Sequence, residues 1–121
     1  MNAADFVLAV KKYAAESAVQ ATTKNLSKPP GRAPSRRLVE LSKWYQHIDE
    51  QDREAVEQVA RLSAESAVFG FLAILDGVRV VEESSEKGAF ELYFRKGSQK
   101  VLLNNFEQQF LHDIFKSISE Y

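Results

Sequence analysis

Apolar residues recur at intervals of three or four over most of the first 75 positions, and this spacing predicts α-helices. The three segments that show it are residues 2–20, 34–46 and 52–75. In the first segment, Phe6, Val10 and Tyr13 follow the spacing and are expected to face the core. Asp49 lies just before the third segment, where its carboxylate can accept hydrogen bonds from the free amides of the first helical turn. We therefore predict three helices before residue 76.

The second half of the third predicted helix is apolar on every side. Residues 67–75 contain no charged or polar side chain. A helix of this kind is usually buried on all sides, so Phe71 and Ile74 are expected at the centre of the core. The run is much shorter than the roughly 20 residues that cross a bilayer. Gly77 follows it and suits a left-handed helix cap, so the sequence predicts a buried helix and no membrane span.

Alternating apolar and polar residues after Gly77 predict β-strands. The three candidate strands are residues 78–83, 89–95 and 100–103. Short turns separate them, so we expect an antiparallel three-stranded meander. A dense apolar stripe then predicts a last helix that begins at Asn104 or Asn105 and runs to the C-terminus. The predicted fold class is α+β, with three N-terminal helices, the meander and a C-terminal helix.

Residues 22–34 interrupt the helical pattern. All three prolines of the chain and one glycine lie there, and Leu26 is the large apolar residue of the stretch. Residues that precede proline avoid helical backbone angles, so this stretch is predicted to be a loop. The chain has 121 residues, the length of one domain, and we expect residues 1–121 to form a single α+β domain.

Composition excludes several kinds of chemistry. The chain has no cysteine, which rules out disulfide bonds, cysteine-bound zinc, iron–sulfur clusters and thiol catalysis. Near the N-terminus, Asp5 precedes a short apolar run and two lysines follow it, an order unlike that of a signal peptide. A cytoplasmic protein is therefore expected.

Positive charge is concentrated in the first third of the chain, although the net charge is only −1. Five cations with no acid among them form a candidate anion-binding tract: Lys24, Lys28, Arg32, Arg36 and Arg37. Lysine and arginine can neutralise phosphates, which makes nucleic acid one alternative partner. The tract has no interleaved aromatic residues and matches no recognition motif, so a solvated loop is the preferred interpretation and nucleic acid is not the expected partner.

No catalytic or metal-binding motif occurs in the sequence. Its two histidines, His47 and His112, lie in different predicted helices, and neither has a second histidine at ligand spacing. We therefore predict no metal, no cofactor and no catalytic residue. Glu65 is a candidate base because it lies near the apolar half of the third helix, where burial would raise its pKa. An exposed position on the helix surface is the preferred alternative.

The sequence Phe69-Gly70-Phe71 places a glycine inside a helix, where it costs about 1 kcal/mol relative to alanine. The preferred explanation is close packing of another element against the bare backbone. The other explanation is a ligand or partner that rests between the two rings. If a small-molecule pocket lies between the third helix and the sheet, its candidate lining is Trp44, Tyr45, Glu65, Phe69, Gly70 and Phe71.

Three segments resemble those of a family of small bacterial proteins of unknown function. They are residues 41–45, 68–78 and 110–115, so the resemblance covers about residues 38–118. It implies no particular activity, cofactor or site. In size and layout the chain is also similar to immunity proteins of bacterial toxin systems, a likeness of type rather than of motif.

Two functions from different classes remain open. The preferred one is a small non-enzymatic protein, immunity-like or accessory, that binds a protein partner, because catalytic motifs are absent and apolar residues exceed what a thin sheet covers. A homodimer is preferred over an N-terminal helix that folds back onto the third helix within one chain. The alternative function is a small-ligand binder or enzyme that uses the pocket lining named above.

Overall fold

The N-terminal helix is longer than expected and contains a wider turn. The computed structural model describes residues 1–119. Helix α1 (Ala3–Val10), a π-helical segment (Lys11–Glu16) and α2 (Ser17–Ser27) follow one another without a break, and together they are called the N-terminal rod. Asn2 caps the rod, since its side chain accepts from the amide of Asp5 at 2.8 Å. Asp5 in turn accepts from the amide of Asn2 at 3.2 Å, which completes a capping box.

The rod ends at Ser27, several residues beyond the predicted end, so the proline-rich loop is shorter than expected. Hydroxyl groups in the last turns donate back to main-chain carbonyls, as Thr22 does to Ala18 at 2.7 Å. Leu26 is buried, and its carbonyl accepts from the hydroxyl of Ser42 at 2.7 Å. This contact with the next helix holds the end of the rod in place.

Helices α3 (Arg36–His47) and α4 (Glu50–Leu75) lie close to where the sequence predicts them. The hydroxyl of Ser35 caps α3. The carboxylate of Asp49 caps α4 as expected, by accepting from the amide of Asp52 at 2.8 Å. Both starts are therefore set by local side chains that the sequence makes visible.

The end of α4 has the left-handed cap that was predicted at Gly77, whose φ is +76°. The amide of Gly77 donates to the carbonyl of Ile74 at 3.0 Å. The amide of Val78 donates to the carbonyl of Ala73 at 3.0 Å, which completes the Schellman pattern. The first residues after the helix are thus engaged in its cap and unavailable to a strand.

The sheet consists of one hairpin. Strands β1 (Tyr93–Lys96) and β2 (Gln99–Leu102) pair antiparallel, with Tyr93 opposite Leu102. Gly97, at φ +59°, supplies the positive φ that its two-residue loop needs. The carbonyl of Leu92 extends the pairing by accepting from the amide of Leu103 at 2.8 Å.

Helix α5 (Leu111–Ile118) begins later than predicted. Asn104 is not its cap, because the Asn104 side chain is buried and its Nδ2 donates to the carbonyl of Leu75 at 2.7 Å. A free amide in the first turn of α5 is instead bonded by a residue at the end of α4, since the carboxylate of Asp76 accepts from the amide of His112 at 2.9 Å.

The predicted architecture of three N-terminal helices followed by a three-stranded meander is wrong. Residues 1–119 contain four helical units (the rod, α3, α4 and α5) and a single two-stranded sheet, although the class remains α+β. The β-branched run at residues 78–83 has irregular backbone, since the helix cap uses its first amides. The stretch before β1 is irregular too. There the Asn104 side chain replaces a neighbouring strand, donating to the carbonyl of Phe90 and accepting from the amide of Leu92, both at 2.8 Å.

The core lies where the rod, α4 and α5 meet. Its fully buried cluster comprises Val7, Ala15, Leu72, Leu111 and Phe115. Tyr13, expected to face the core, is exposed, because the π-helical segment changes which side chains of the rod face α4. Phe71 is 60% exposed and Ile74 is half-buried, so the prediction that both are central is wrong. Within residues 67–75 of α4, Ala67 and Phe71 are exposed, and the other residues are buried or half-buried.

Candidate functional site

An apolar groove runs between the N-terminal rod and α4. Its volume is about 340 Å³, and it is lined by Phe6, Val10, Ala14, Ala67, Val68, Phe71 and Leu72. None of these side chains is polar, so the groove offers no hydrogen-bond partner beyond the helical backbone. Such a surface can bind an apolar side chain or helix, and it has no group suited to acid–base or nucleophilic chemistry.

The side of α4 that points away from the core is also uncharged over more than three helical turns. This surface, called the outer face of α4, consists of the exposed residues Val59, Leu62, Ser63, Ser66, Ala67 and Phe71, and of Gly70, which the Arg79 side chain covers. Val59 is 67% exposed and Leu62 is 59% exposed. Ala67 and Phe71 belong to both the outer face and the groove, so the two surfaces are continuous. Exposed apolar area of this extent usually marks an interaction site.

The whole chain exposes more surface than a compact monomer does. Its accessible surface is 8844 Å². A folded monomer of 13.7 kDa is expected to expose about 6,600 Å². The excess of about 2,200 Å² is comparable to the area that one subunit contributes to a large protein–protein interface, about 1,000–2,500 Å². The irregular residues 77–91 are all exposed and contribute to this excess, so it does not measure the apolar surface of α4.

The residues predicted from sequence to line a common pocket are not brought together. Trp44 is exposed on α3, and Tyr45 is buried there beneath the Arg53 guanidinium, whose carbon lies 5.6 Å from the ring centre. Neither lines the groove. Phe69 contacts the ring of His112 edge-on at a centroid distance of 5.5 Å. Of the six predicted residues, Phe71 alone lines the groove.

Glu65 is buried, against the preferred expectation of an exposed position. The residue is 5% exposed, and its carboxylate forms no hydrogen bond or ion pair within residues 1–119. It does not line the groove. Neither oxygen of the Glu65 carboxylate is fully buried, so the charged group keeps access to solvent at the helix surface.

The glycine inside α4 is explained by a side chain rather than by a helix, a strand or a ligand. The guanidinium of Arg79 folds back from the residues after α4 and lies where a Cβ of residue 70 would be. Arg79 is exposed, and its guanidinium forms no hydrogen bond or ion pair within the described residues. The contact therefore belongs to a flexible surface side chain that can move.

A second cleft lies at the C-terminal end of α4, away from the hairpin. Its volume is about 510 Å³, and it is lined by Ile74, Leu75, Gly77, Arg79, Val80, Val81, Glu82, Lys87, Gly88, Ala89, Phe90 and Phe106. It contains none of the predicted lining residues, so the expected pocket between the third helix and the sheet is replaced by this one. Two cations and one acid border an otherwise apolar wall.

Asp76, which is buried, and His112, whose side chain is 13% exposed, form a polar contact between the end of α4 and α5. The Oδ2 atom of Asp76 lies 2.6 Å from Nδ1 of His112, and the ring of Phe110 stacks on the imidazole at 5.5 Å. The other carboxylate oxygen of Asp76 is buried without a partner. The pair lines neither cleft, so its role is to join α4 to α5. No set of three His, Cys, Asp or Glu side chains within residues 1–119 is arranged to hold a metal.

The five cations of the candidate anion-binding tract are all exposed. Arg36 pairs with Glu40 at 3.1 Å, one turn along α3. Lys24 lies in the last turn of α2, and Lys28 and Arg32 lie in or beside the loop that follows. Nothing in this arrangement forms a pocket for an anion.

Tyr93 lies on the exposed hairpin, and its hydroxyl donates a hydrogen bond to the Glu91 carboxylate. This hydrogen bond and the negative charge of Glu91 raise the pKa of Tyr93.

Sequence reasoning missed Val59 and Leu62, which the structure places on the outer face of α4. The signal was present: every position of that face between residues 59 and 71 is uncharged, while Arg61 and Glu65 lie on other sides of the helix. Asp76, Asn104 and Arg79 were missed because their partners are distant in sequence.

No protein-family model, curated protein or solved structure matches the chain.

Proposed function

We propose that the chain is a non-enzymatic, accessory or immunity-like protein that acts by binding another protein molecule at the groove and the outer face of α4. The observation that carries the proposal is the continuity of these two uncharged, apolar surfaces across Ala67 and Phe71. A helix or an apolar loop of a partner fits such a surface, since it needs no hydrogen bond from the groove walls. We place this activity in the cytoplasm.

Two further observations support this proposal over catalysis. The buried titratable residues of the described chain, Tyr45, Glu65 and Asp76, line neither of the two clefts. The apolar side chains of Val59, Leu62 and Phe71 are 67%, 59% and 60% exposed, which leaves them available to a partner.

Site-specific photo-crosslinking in the native cell tests the proposal. A photoreactive phenylalanine analogue replaces Phe71, and in a matched control it replaces Phe90, which is exposed to a similar degree but lies in the other cleft. We expect a discrete protein adduct from position 71 and none from position 90. The absence of any protein adduct at position 71, with the variant folded and expressed, would refute the proposal.

The cleft at the end of α4 supports a second candidate, a small-ligand binder. Its volume of about 510 Å³ is in the range of small-molecule sites, and its apolar wall beside Arg79 and Lys87 suits an apolar molecule that carries an anionic group. A thermal-shift screen of apolar carboxylates, with Phe90→Ala as the control, tests it. A ligand of the cleft raises the melting temperature of the natural chain and not of the variant. The absence of any shift, or an equal shift in the variant, retires this candidate.

A further inference from the structure

We propose that Arg79 couples the cleft at the end of α4 to the outer face of that helix, so that an apolar anion in the cleft promotes binding of a protein partner on the face. This coupling rests on the proposed function and on its small-ligand candidate. It assigns the anionic group of the ligand to Arg79, and it gives the partner site a means of regulation.

Arg79 belongs to both surfaces. It lines the cleft, and its guanidinium lies over Gly70, which is on the outer face and does not line the cleft. The main-chain amide of Arg79 donates to the carbonyl of Ala73 at 3.3 Å, which holds its backbone at the C-terminal cap of α4. The side chain alone is therefore left to move between the two surfaces.

Arg79 is the charged residue of the cleft that has no partner within residues 1–119. The Nζ atom of Lys87 donates to the carbonyl of Ser84 at 3.0 Å, and the Glu82 carboxylate accepts from the amide of Gly88 at 2.9 Å. Both contacts hold the loop that forms part of the cleft wall. The Arg79 guanidinium forms no hydrogen bond or ion pair with a described residue, so it is the cation left to bind an anion that enters the cleft.

A carboxylate in the cleft binds the guanidinium more strongly than Gly70 does. The main-chain groups of Gly70 are bonded within α4, so the guanidinium has no acceptor there. A carboxylate accepts two parallel hydrogen bonds from arginine, and each is about twice as strong as a neutral hydrogen bond. The apolar part of the same ligand covers Val81, Phe90 and Phe106, which are exposed in the free chain.

Departure of the guanidinium uncovers Gly70. The bare backbone then becomes accessible beside Ala67 and Phe71, and a partner helix can approach it more closely. A partner that packs there in turn keeps Arg79 away from the helix and available to the anion. Because coupling between two binding sites is reciprocal, each ligand raises the affinity of the chain for the other by the same factor.

Octanoate and octanol are suitable probes, since they have the same alkyl chain and differ in the anionic group. We expect the natural chain to bind octanoate in isothermal titration calorimetry, and Arg79→Ala to weaken this binding by at least about tenfold. The affinity for octanol should be the same in both proteins. Arg95→Ala removes an exposed cation outside the cleft, so as the matched control it should leave the octanoate affinity unchanged.

Gly70→Ala separates the coupling from simple attraction between charges. The added methyl group takes the place of the guanidinium, although residue 70 does not line the cleft. We expect it to raise the octanoate affinity by about two- to fivefold, and to have no effect when combined with Arg79→Ala. Ser66→Ala, elsewhere on the outer face, is the control and should change nothing. An octanoate affinity that Gly70→Ala leaves unchanged would overturn the coupling.

Photo-crosslinking measures the effect on the partner. In a lysate of the native cell, the protein adduct at position 71 should increase when octanoate is added, and Arg79→Ala should abolish the increase. An adduct that does not respond to octanoate, or a natural chain that does not bind octanoate, would reject the coupling and leave the proposed protein binding intact. The absence of an adduct with and without octanoate would refute both.

Discussion

A single oxygen of Asp76 receives two hydrogen bonds from His112, one from the main-chain amide at 2.9 Å and one from Nδ1 at 2.6 Å. The carboxylate lies at the end of α4 and the histidine in the first turn of α5, so this contact sets the position of α5 against the rest of the core. Because a carboxylate only accepts, the imidazole proton of this pair is on Nδ1.

Asp76→Ala should therefore destabilise the fold. The change leaves two buried N–H groups of His112 without an acceptor, and we expect the free energy of unfolding to fall by about 3 kcal/mol. Asp76→Asn keeps an acceptor and should cost about half as much. Urea denaturation measures both. Glu83→Ala, at an exposed position outside the helices, is the control and should change stability by less than about 0.5 kcal/mol. A loss no larger than that of the control would contradict the assigned role of Asp76.

Two phenylalanines of the core region should respond very differently to truncation. Phe115 is fully buried, so Phe115→Ala should lower the free energy of unfolding by about 3–5 kcal/mol. Phe71 is 60% exposed in the single chain, so Phe71→Ala should cost less than about 1 kcal/mol when measured at a concentration where the chain is monomeric. Denaturant titration of both variants checks the contrast. A similar, large loss for both would mean that α4 is enclosed within one chain.

Gly70→Ala should be neutral or stabilising. Alanine favours the helix by up to about 1 kcal/mol over glycine. The added methyl group displaces the end of the exposed Arg79 side chain and no backbone atom, so the opposing cost is small. Thermal denaturation measures the balance, and Arg79→Ala in the same background removes the obstacle. A loss above 1 kcal/mol that Arg79→Ala fails to relieve would show that something else needs the bare backbone.

Local signals in the sequence were sufficient to predict four helical segments and both ends of α4, but not the end of the rod or the start of α5. The cap at Asp49 and the left-handed residue at Gly77 both act within one turn of α4, so their effect is readable from neighbouring residues. The strand prediction failed because pairing depends on distant residues. The run at 78–83 has the composition of a strand, but no described strand lies beside it. The Asn104 side chain bonds the backbone that a third strand would have used.

The candidate site could be predicted only in part for a similar reason. The sequence shows that α4 is apolar around its C-terminal half, but it does not show how many neighbours the fold provides. Because the rod and α5 cover the side with Leu72, Phe71 faces outward. Trp44 and Tyr45 were predicted to line a pocket with the Phe69–Phe71 segment, but Trp44 is exposed on α3 and Tyr45 is buried there beneath Arg53.

The π-helical segment holds one residue more than a regular α-helix would need to bring Val7 and Val19 onto the same side of the rod. In an uninterrupted α-helix, Val7 and Val19 would point about 120° apart, at about 100° for each residue. In a π-turn the hydrogen bonds join residues five apart, so the turn contains one residue more than an α-helical turn. This extra residue reduces the angle between the Val7 and Val19 side chains to about 20°. Both are buried. A chain shortened by one residue between Lys11 and Glu16 would reach the same alignment as a regular α-helix. The rod should therefore accept a single deletion there. A deletion between Val7 and Lys11, or between Glu16 and Val19, that left the π-turn in place would instead turn one valine toward solvent.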